Sequence, residues 1–295
     1  MKIIRAQHYG MCFGVRDAIE MAEEHSKGQT LTILGDLVHN DQVMGKLRET
    51  GITVERDLAQ VKTHKVMITA HGASEKRISE VRAKGHEVIE ATCPLVKHAH
   101  RSIVKLAERG YYPVIIGKRD HVEVVGLTED LEECTVIESM DEIRSIPMHG
   151  KIGVASQTTQ PISKVLMMVE AIRKAFRESE VRFTDTVCRP TKERQLAADQ
   201  LAGQCDTIMV VGGTNSNNTR QLVEKCATHG ARVWHIQNAG DIRSEWLAEA
   251  KVVGITAGTS TPLALVDEVE ERLESLALIM GPKKNSADSR VLAGS

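Results

Sequence analysis

Three times along the chain the same order recurs: an apolar strand, a cysteine in a short turn, an amphipathic helix, then a second apolar strand running into a polar loop. The first copy reads KIIRAQ, Cys12 in GMCFGV and the helix RDAIEMAEE. The second reads EVIEAT and Cys93 in CPLVKHAH, and the third VRFTDTV and Cys188 in CRPTKERQ. A lysine-led apolar run recurs as well, as KVMITAHGAS, KIGVASQTTQ and KVVGITAGTS, each closing on small polar residues before another helix. Repeats of this length are too long for a solenoid unit and fit small α/β domains. Strands alternating with helices call for parallel sheets with helical crossovers. The expected fold is α/β: three pseudo-threefold-related domains with mainly parallel sheets at 13–92, 93–187 and 188–280, the strand within 1–12 pairing into the third or the first repeat. Residues 281–295 are polar and aperiodic and read as a disordered tail.

The repeat places three thiols at equivalent positions, where they can face one another around a metal cluster. Cys12 lies between Gly10 and Gly14, Cys93 precedes Pro94, and Cys188 is followed by Arg189 and Pro190, so all three occupy sharp turns near helix N-termini. The helix dipole and free N–H groups there are expected to stabilise thiolates. Cys134, Cys205 and Cys226 fall at a strand start or in helical patterns and read as structural. A structural zinc site wants four ligands, often from close C-x-x-C pairs, and no such pair exists. Ligands 81 and 95 positions apart, one per domain, suit an iron-sulfur cluster whose protein ligand set is incomplete, leaving one iron open to substrate.

Composition narrows the partners. With a net charge of -2 and only two Trp, three Tyr and three Phe, neither a polyelectrolyte partner nor a base-stacking platform is implied, so nucleic acid is not expected. MKIIRAQHYG enters a strand without a signal-peptide core, and no apolar run approaches a bilayer span, so a soluble, cytoplasmic protein without membrane contact is expected. In that compartment the six cysteines read as thiols or metal ligands rather than a disulfide framework.

The polar loops describe a substrate. LTILGD leads to LVHNDQ, YYPVIIG to KRDHVEV and DTIMVVGG to TNSNNT, loops at strand C-termini where open α/β sheets bind ligands. Ser216, Asn217 and Asn218 open a helix after two glycines and can grip an anion, and Ser260 stands at another helix start. His39, His71 and His121 fall at ends of expected strands. Together they suit a phosphate or diphosphate held by neutral donors, although no Walker-type loop is present. Glu123, two residues after His121, is the carboxylate nominated as proton donor; Thr158 and Thr159 position a hydroxyl or cap the following helix.

GMCFGV, LVHN, AHGAS, EATCPLV, IIGKRDHVEVVG, SQTT, CRPTKERQ, GGTNSNNTR and TAGTSTP, in order from Met1 to about Leu276, resemble the 4-hydroxy-3-methylbut-2-enyl diphosphate reductase family of the non-mevalonate isoprenoid pathway. The resemblance implies a trefoil around a central [4Fe-4S] cluster with three cysteine ligands, Cys12, Cys93 and Cys188, and an open apical iron, the cluster becoming [3Fe-4S] after oxidation. It implies that His39, His71, His121, Ser216, Asn217, Asn218 and Ser260 surround the diphosphate, with Glu123 and Thr158 at the substrate hydroxyl. The implied products are isopentenyl and dimethylallyl diphosphate, and the implied partner an external electron donor of ferredoxin or flavodoxin type. Val122 stands where the family commonly has proline. After the third cysteine the family often has a small residue followed by two threonines, where Arg189, Pro190, Thr191 and Lys192 stand here, and a cationic neighbour is expected to bear on cluster potential or donor docking. Two other readings of the residues stay open: a non-redox iron-sulfur (de)hydratase acting on a phosphorylated small molecule, and an iron-sulfur redox sensor.

Overall fold

The computed structural model describes residues 1–280; the tail expected at 281–295 lies outside them. Twelve strands are numbered along the described chain: β1 (Lys2–Arg5), β2 (Leu31–Leu34), β3 (Thr53–Glu55), β4 (Lys65–Ile68), β5 (Glu87–Glu90), β6 (Tyr112–Ile116), β7 (Thr135–Ile137), β8 (Lys151–Ser156), β9 (Glu180–Phe183), β10 (Thr207–Val211), β11 (Arg232–Ile236) and β12 (Val252–Ala257). They form three four-stranded sheets ordered β3-β2-β4-β5, β7-β6-β8-β9 and β11-β10-β12-β1, with every pairing parallel. The N-terminal strand thus joins the third sheet, Lys2 opposite Val252, in the place that β5 and β9 take in the other two. Every residue of β6 and β10 is buried, as parallel strands covered on both faces require.

The helices are α1 (Phe13–Ser26), α2 (Asp41–Glu49), α3 (Glu75–Ala83), α4 (Pro94–Glu108), α5 (Val122–Thr128), α6 (Ile162–Ala175), α7 (Arg189–Ala202), α8 (Asn217–Ala227) and α9 (Leu263–Met280). Ala18 and Ala22 of α1 pack on Leu31 and Ile33; Ala99 and Ile103 of α4 on Tyr111 and Ile115; Ala197, Ala198 and Leu201 of α7 on Ile208 and Val210. Fully buried residues such as Ile33, Ile103 and Ile115 each contribute about 1.5–3 kcal/mol relative to exposure. Each of these helices therefore packs on one sheet, while the strand before it belongs to another. The three cysteines sit at those crossings, so one type of junction, used three times, joins the sheets into a ring.

Two loops of the sequence analysis need correction. KRDHVEV is not a loop throughout, because His121 is the N-cap of α5 and Glu123 lies in its first turn. Thr158 and Thr159 do not cap the following helix, since Pro161 is the N-cap of α6. No helix of the described residues is long and apolar enough to cross a membrane.

Candidate active site

Cys12, Cys93 and Cys188 are the N-caps of α1, α4 and α7, and none spends its side chain on a capping hydrogen bond. Their backbone N–H groups donate to Thr259, Ala70 and Thr158 carbonyls at 3.0, 3.0 and 2.9 Å. These acceptors each lie two residues beyond a central strand, β12, β4 and β8, so one backbone bond fixes all three turns. Glycine permits their approach: a Cβ on Gly14 would lie 2.5 Å from Cys93 Sγ. Likewise a Cβ on Gly213 would lie 2.5 Å from the His39 carbonyl, so only glycine lets the third repeat's donor loop meet the first.

One cavity is lined by the three cysteines together with His39, His71, His121, Glu123, Thr158, Ser216, Asn217, Asn218 and Ser260. Every site residue expected from the sequence thus borders the same space. A wider cleft shares His39 and His121 with this cavity and carries Arg56, Lys76, Arg77, Lys118 and Arg220 on its walls, interspersed with Asp36, Glu80, Asp120 and Glu129.

Glu123 is 2 % exposed rather than solvated. Its Oε1 accepts the Thr158 N–H at 2.6 Å and its Oε2 accepts the Thr158 hydroxyl at 3.0 Å. Burial pushes the carboxyl up to about 7 against the opposing pull of both Thr158 bonds. A buried acid poised near neutrality can deliver a proton. His121 Nδ1 accepts the Glu123 N–H at 3.1 Å, which places the proton of the neutral ring on Nε2.

The histidines form one cluster that the sequence did not disclose. His39 and His71 stack with centroids 4.1 Å apart, and His121 stands edge-on to them at 5.2 and 5.6 Å. Burial, reinforced by its neighbours' charges, brings His121 down to about 3; burial also lowers His39, and lowers His71 strongly. They are neutral donors at physiological pH. His39 Nε2, His71 Nδ1 and both side-chain polar atoms of Asn218 are buried without a hydrogen-bond partner among the described residues. Each such orphan costs about 1–3 kcal/mol, a cost that a polar ligand relieves. Asn217 differs, because its Nδ2 already donates to Thr159 Oγ1 at 2.9 Å. Ser260 Oγ donates to the His39 carbonyl at 3.1 Å, and Ser216 caps α8 by accepting the Thr219 N–H at 3.3 Å.

The expected thiolate stabilisation is reversed for two cysteines. Burial pushes Cys188 up to about 11 and raises Cys93, outweighing the N–H groups of Leu95 and Val96 at Cys93 and the bonds of Thr191 at Cys188. Bound metal inverts that balance, since a coordinating thiol gives up its proton. No group of three or more His, Cys, Asp or Glu among the described residues is gathered to hold a single metal ion. A multi-iron cluster does not require such a convergence, because each thiolate binds a different iron. The donor set, three thiols on one cavity wall with none used as a helix cap, fits such a cluster.

Several contributors escaped the sequence reading. Thr191 accepts the Cys188 thiol at 3.0 Å, and Gln195 holds the Gln160 carbonyl at 3.1 Å and the Ile162 N–H at 3.3 Å. Arg194 donates to the Gly10 carbonyl in the first cysteine turn at 2.7 and 2.9 Å. All belong to CRPTKERQ, whose i, i+3 and i+6, i+7 spacing from Cys188 was the available signal. Arg189, singled out from sequence, instead points outward, 87 % exposed in its side chain and paired with Glu193 at 2.6 Å.

The sequence model described as LytB protein matches residues 3–274. A 4-hydroxy-3-methylbut-2-enyl diphosphate reductase of Trichlorobacter lovleyi is 40% identical over 279 residues, covering 94% of this chain and 99% of that protein. One from Aquifex aeolicus is 34% identical over 281 residues, covering 93% and 96%. Among solved structures, the E-1-hydroxy-2-methyl-but-2-enyl-4-diphosphate reductase of Plasmodium falciparum superposes with a TM-score of 0.87 at 27% identity, over 95% of this chain and 88% of that one. A second solved reductase, described as the terminal enzyme of the non-mevalonate pathway, gives a TM-score of 0.68 at 33% identity, over 93% of this chain and all of that one. With nearly its whole length matched in sequence and in fold, the chain belongs to the LytB protein family.

Proposed function

We propose that this chain reduces 4-hydroxy-3-methylbut-2-enyl diphosphate to isopentenyl and dimethylallyl diphosphate. The observation that carries the reading is the shared wall: three repeat-equivalent cysteines, an acid near neutrality and a set of unpartnered neutral donors border one cavity. The balance is one allylic alcohol, two electrons and two protons giving one alkene and one water. Cys12, Cys93 and Cys188 would hold a [4Fe-4S] cluster, which when bound supplies the electrons and a Lewis-acidic site for the hydroxyl.

The remaining work falls to the chain. His39, His71, His121, Ser216, Asn218 and Ser260, with the N–H groups that open α8, bind the diphosphate through neutral donors. Asn217 orients this wall through Thr159. Glu123, held by both polar groups of Thr158, gives its proton to the substrate oxygen as the C–O bond breaks, so that water leaves instead of hydroxide. The second proton goes to either end of the allyl unit, which yields the two products, and the diphosphate would relay it. Burial of the site excludes bulk water from this step. Electrons come from an external ferredoxin- or flavodoxin-type donor.

The test is anaerobic. Purified protein is assayed for iron, sulfide and visible absorption, then given 4-hydroxy-3-methylbut-2-enyl diphosphate and reduced methyl viologen. Substrate-dependent dye oxidation with four irons per chain is expected. An intact cluster without oxidation would overturn the reductase reading, and a folded protein that takes up no iron would overturn the cysteine assignment.

A further inference from the structure

Six residues after each repeat cysteine the chain carries Ala18, Ala99 and Arg194. The alanines are 1% and 0% exposed and lie within the cores beneath α1 and α4. Arg194, at the same place on α7, is only 7% exposed. The pseudo-threefold pattern is therefore broken at one buried position, by a cation.

Its partners are all uncharged. Nε and Nη2 donate to the Gly10 carbonyl at 2.9 and 2.7 Å, Nη1 donates to the Pro190 carbonyl at 3.0 Å, and Nη2 also reaches the Tyr9 and Met11 carbonyls at 3.5 and 3.4 Å. Among the described residues no carboxylate forms an ion pair with it; the adjacent Glu193 is engaged by Arg189. Burial disfavours its charge, and Cys12 and Cys188 are the groups that, once ionised, favour it most. A buried charge without a counter-charge is strongly unfavourable. Carbonyl bonds satisfy the donors but leave the charge unbalanced. The cysteines supply the balance only as thiolates, the form they take when they hold metal.

We propose that Arg194 is the built-in counter-charge of the iron-sulfur cluster, raising its reduction potential while its hydrogen bonds fix the Cys12 turn. The inference rests on the cluster reading given above. Three thiolates on a [4Fe-4S] core leave a net negative charge, and reduction adds another, so a nearby buried cation stabilises the reduced state more than the oxidised one. Guanidinium suits the task because its planar fork reaches several carbonyls at once. Arg194 does not line the cavity; it is a positioning and tuning residue.

The experiment compares Arg194→Gln, which keeps amide donors and loses the charge, with Arg194→Lys, which keeps the charge and loses the fork. Anaerobically reconstituted wild type and both variants are assayed for iron and sulfide, and their clusters are titrated with redox mediators followed by electron paramagnetic resonance. At the wild-type midpoint, the ratio of reduced to oxidised cluster in Arg194→Gln is expected to fall about tenfold or more, with Arg194→Lys close to wild type. Loss of iron in Gln but not in Lys equally supports the counter-charge. Equal midpoints in all three proteins overturn it, as does equal loss of iron from both variants, which leaves only the clamp on the Cys12 turn. Wild-type protein without a cluster would instead defeat the reading on which the inference stands.

Discussion

The two walls of the cavity follow opposite rules. On the cysteine wall each repeat gives the same residue at the same N-cap, held by the same backbone bond. On the donor wall, the helices that follow β2, β6 and β10 are capped by Asn40, His121 and Ser216, three different side chains on one backbone plan. On the proposed function, the repeat is kept where a cluster asks for three like contacts and abandoned where the substrate has a phosphate end and a reacting end. Arg194 shows that even the cysteine wall departs from symmetry one layer down.

The comparison breaks most sharply if the walls are damaged separately. Cys93→Ser is expected to abolish turnover and lower iron per chain, and Gly14→Ala should do the same without replacing a cysteine, because its methyl would collide with Cys93 Sγ. Iron analysis checks both; full iron in Gly14→Ala would mean the approach of those two turns is dispensable. On the opposite wall, Glu123→Gln should leave the cluster spectrum unchanged while kcat falls about 10²–10⁴-fold. Near-normal turnover would remove Glu123 from the proton step.

Thr158→Val sharpens the acid's role. Both Thr158 bonds favour the ionised carboxylate, so losing the hydroxyl raises the Glu123 pKa further. In the proposed mechanism the protonated form is the active one, so the wild-type rate is expected to be lost as pH rises through about 7. The variant's decline is expected at higher pH, with a loss of up to about tenfold at the optimum. A pH–rate profile moved downward would contradict the assignment.

Asn218→Ala should raise KM about tenfold with kcat little changed, since its polar atoms are unpartnered and await the ligand. Steady-state kinetics at saturating reductant separates the two constants. Cys226→Ala is the smallest change. That side chain is wholly buried among Ala198, Leu222 and Ile208, away from the cavity, and its loss should lower the thermal midpoint while leaving iron and turnover intact.

Much of this was legible because the repeat carries its own register. KVMITAHGAS, KIGVASQTTQ and KVVGITAGTS become β4, β8 and β12, and the residues two positions beyond those strands receive the cysteine N–H bonds. TNSNNT opens α8, as its position after two glycines suggested. HVEV read as loop because a seven-residue helix spans too few turns to show a periodicity.

Charges and their environments were the less legible part. Arg189 and Arg194 lie five positions apart in one helix, yet one faces solvent and the other the cavity wall's underside. Their neighbours in sequence do not distinguish them. The same holds for the thiols: a helix N-terminus can be read from CPLV or CRPT, but burial, which raises Cys93 and Cys188, is a property of the packed molecule. By itself the sequence determined the three α/β repeats, the cysteine set and the donor loops, because these follow from local periodicity and turn chemistry. Only the tertiary structure decided that His39, His71 and His121 stack, that Glu123 sits near neutrality and that Arg194 is the buried cation, because desolvation and charge coupling arise when segments distant in sequence close on one space.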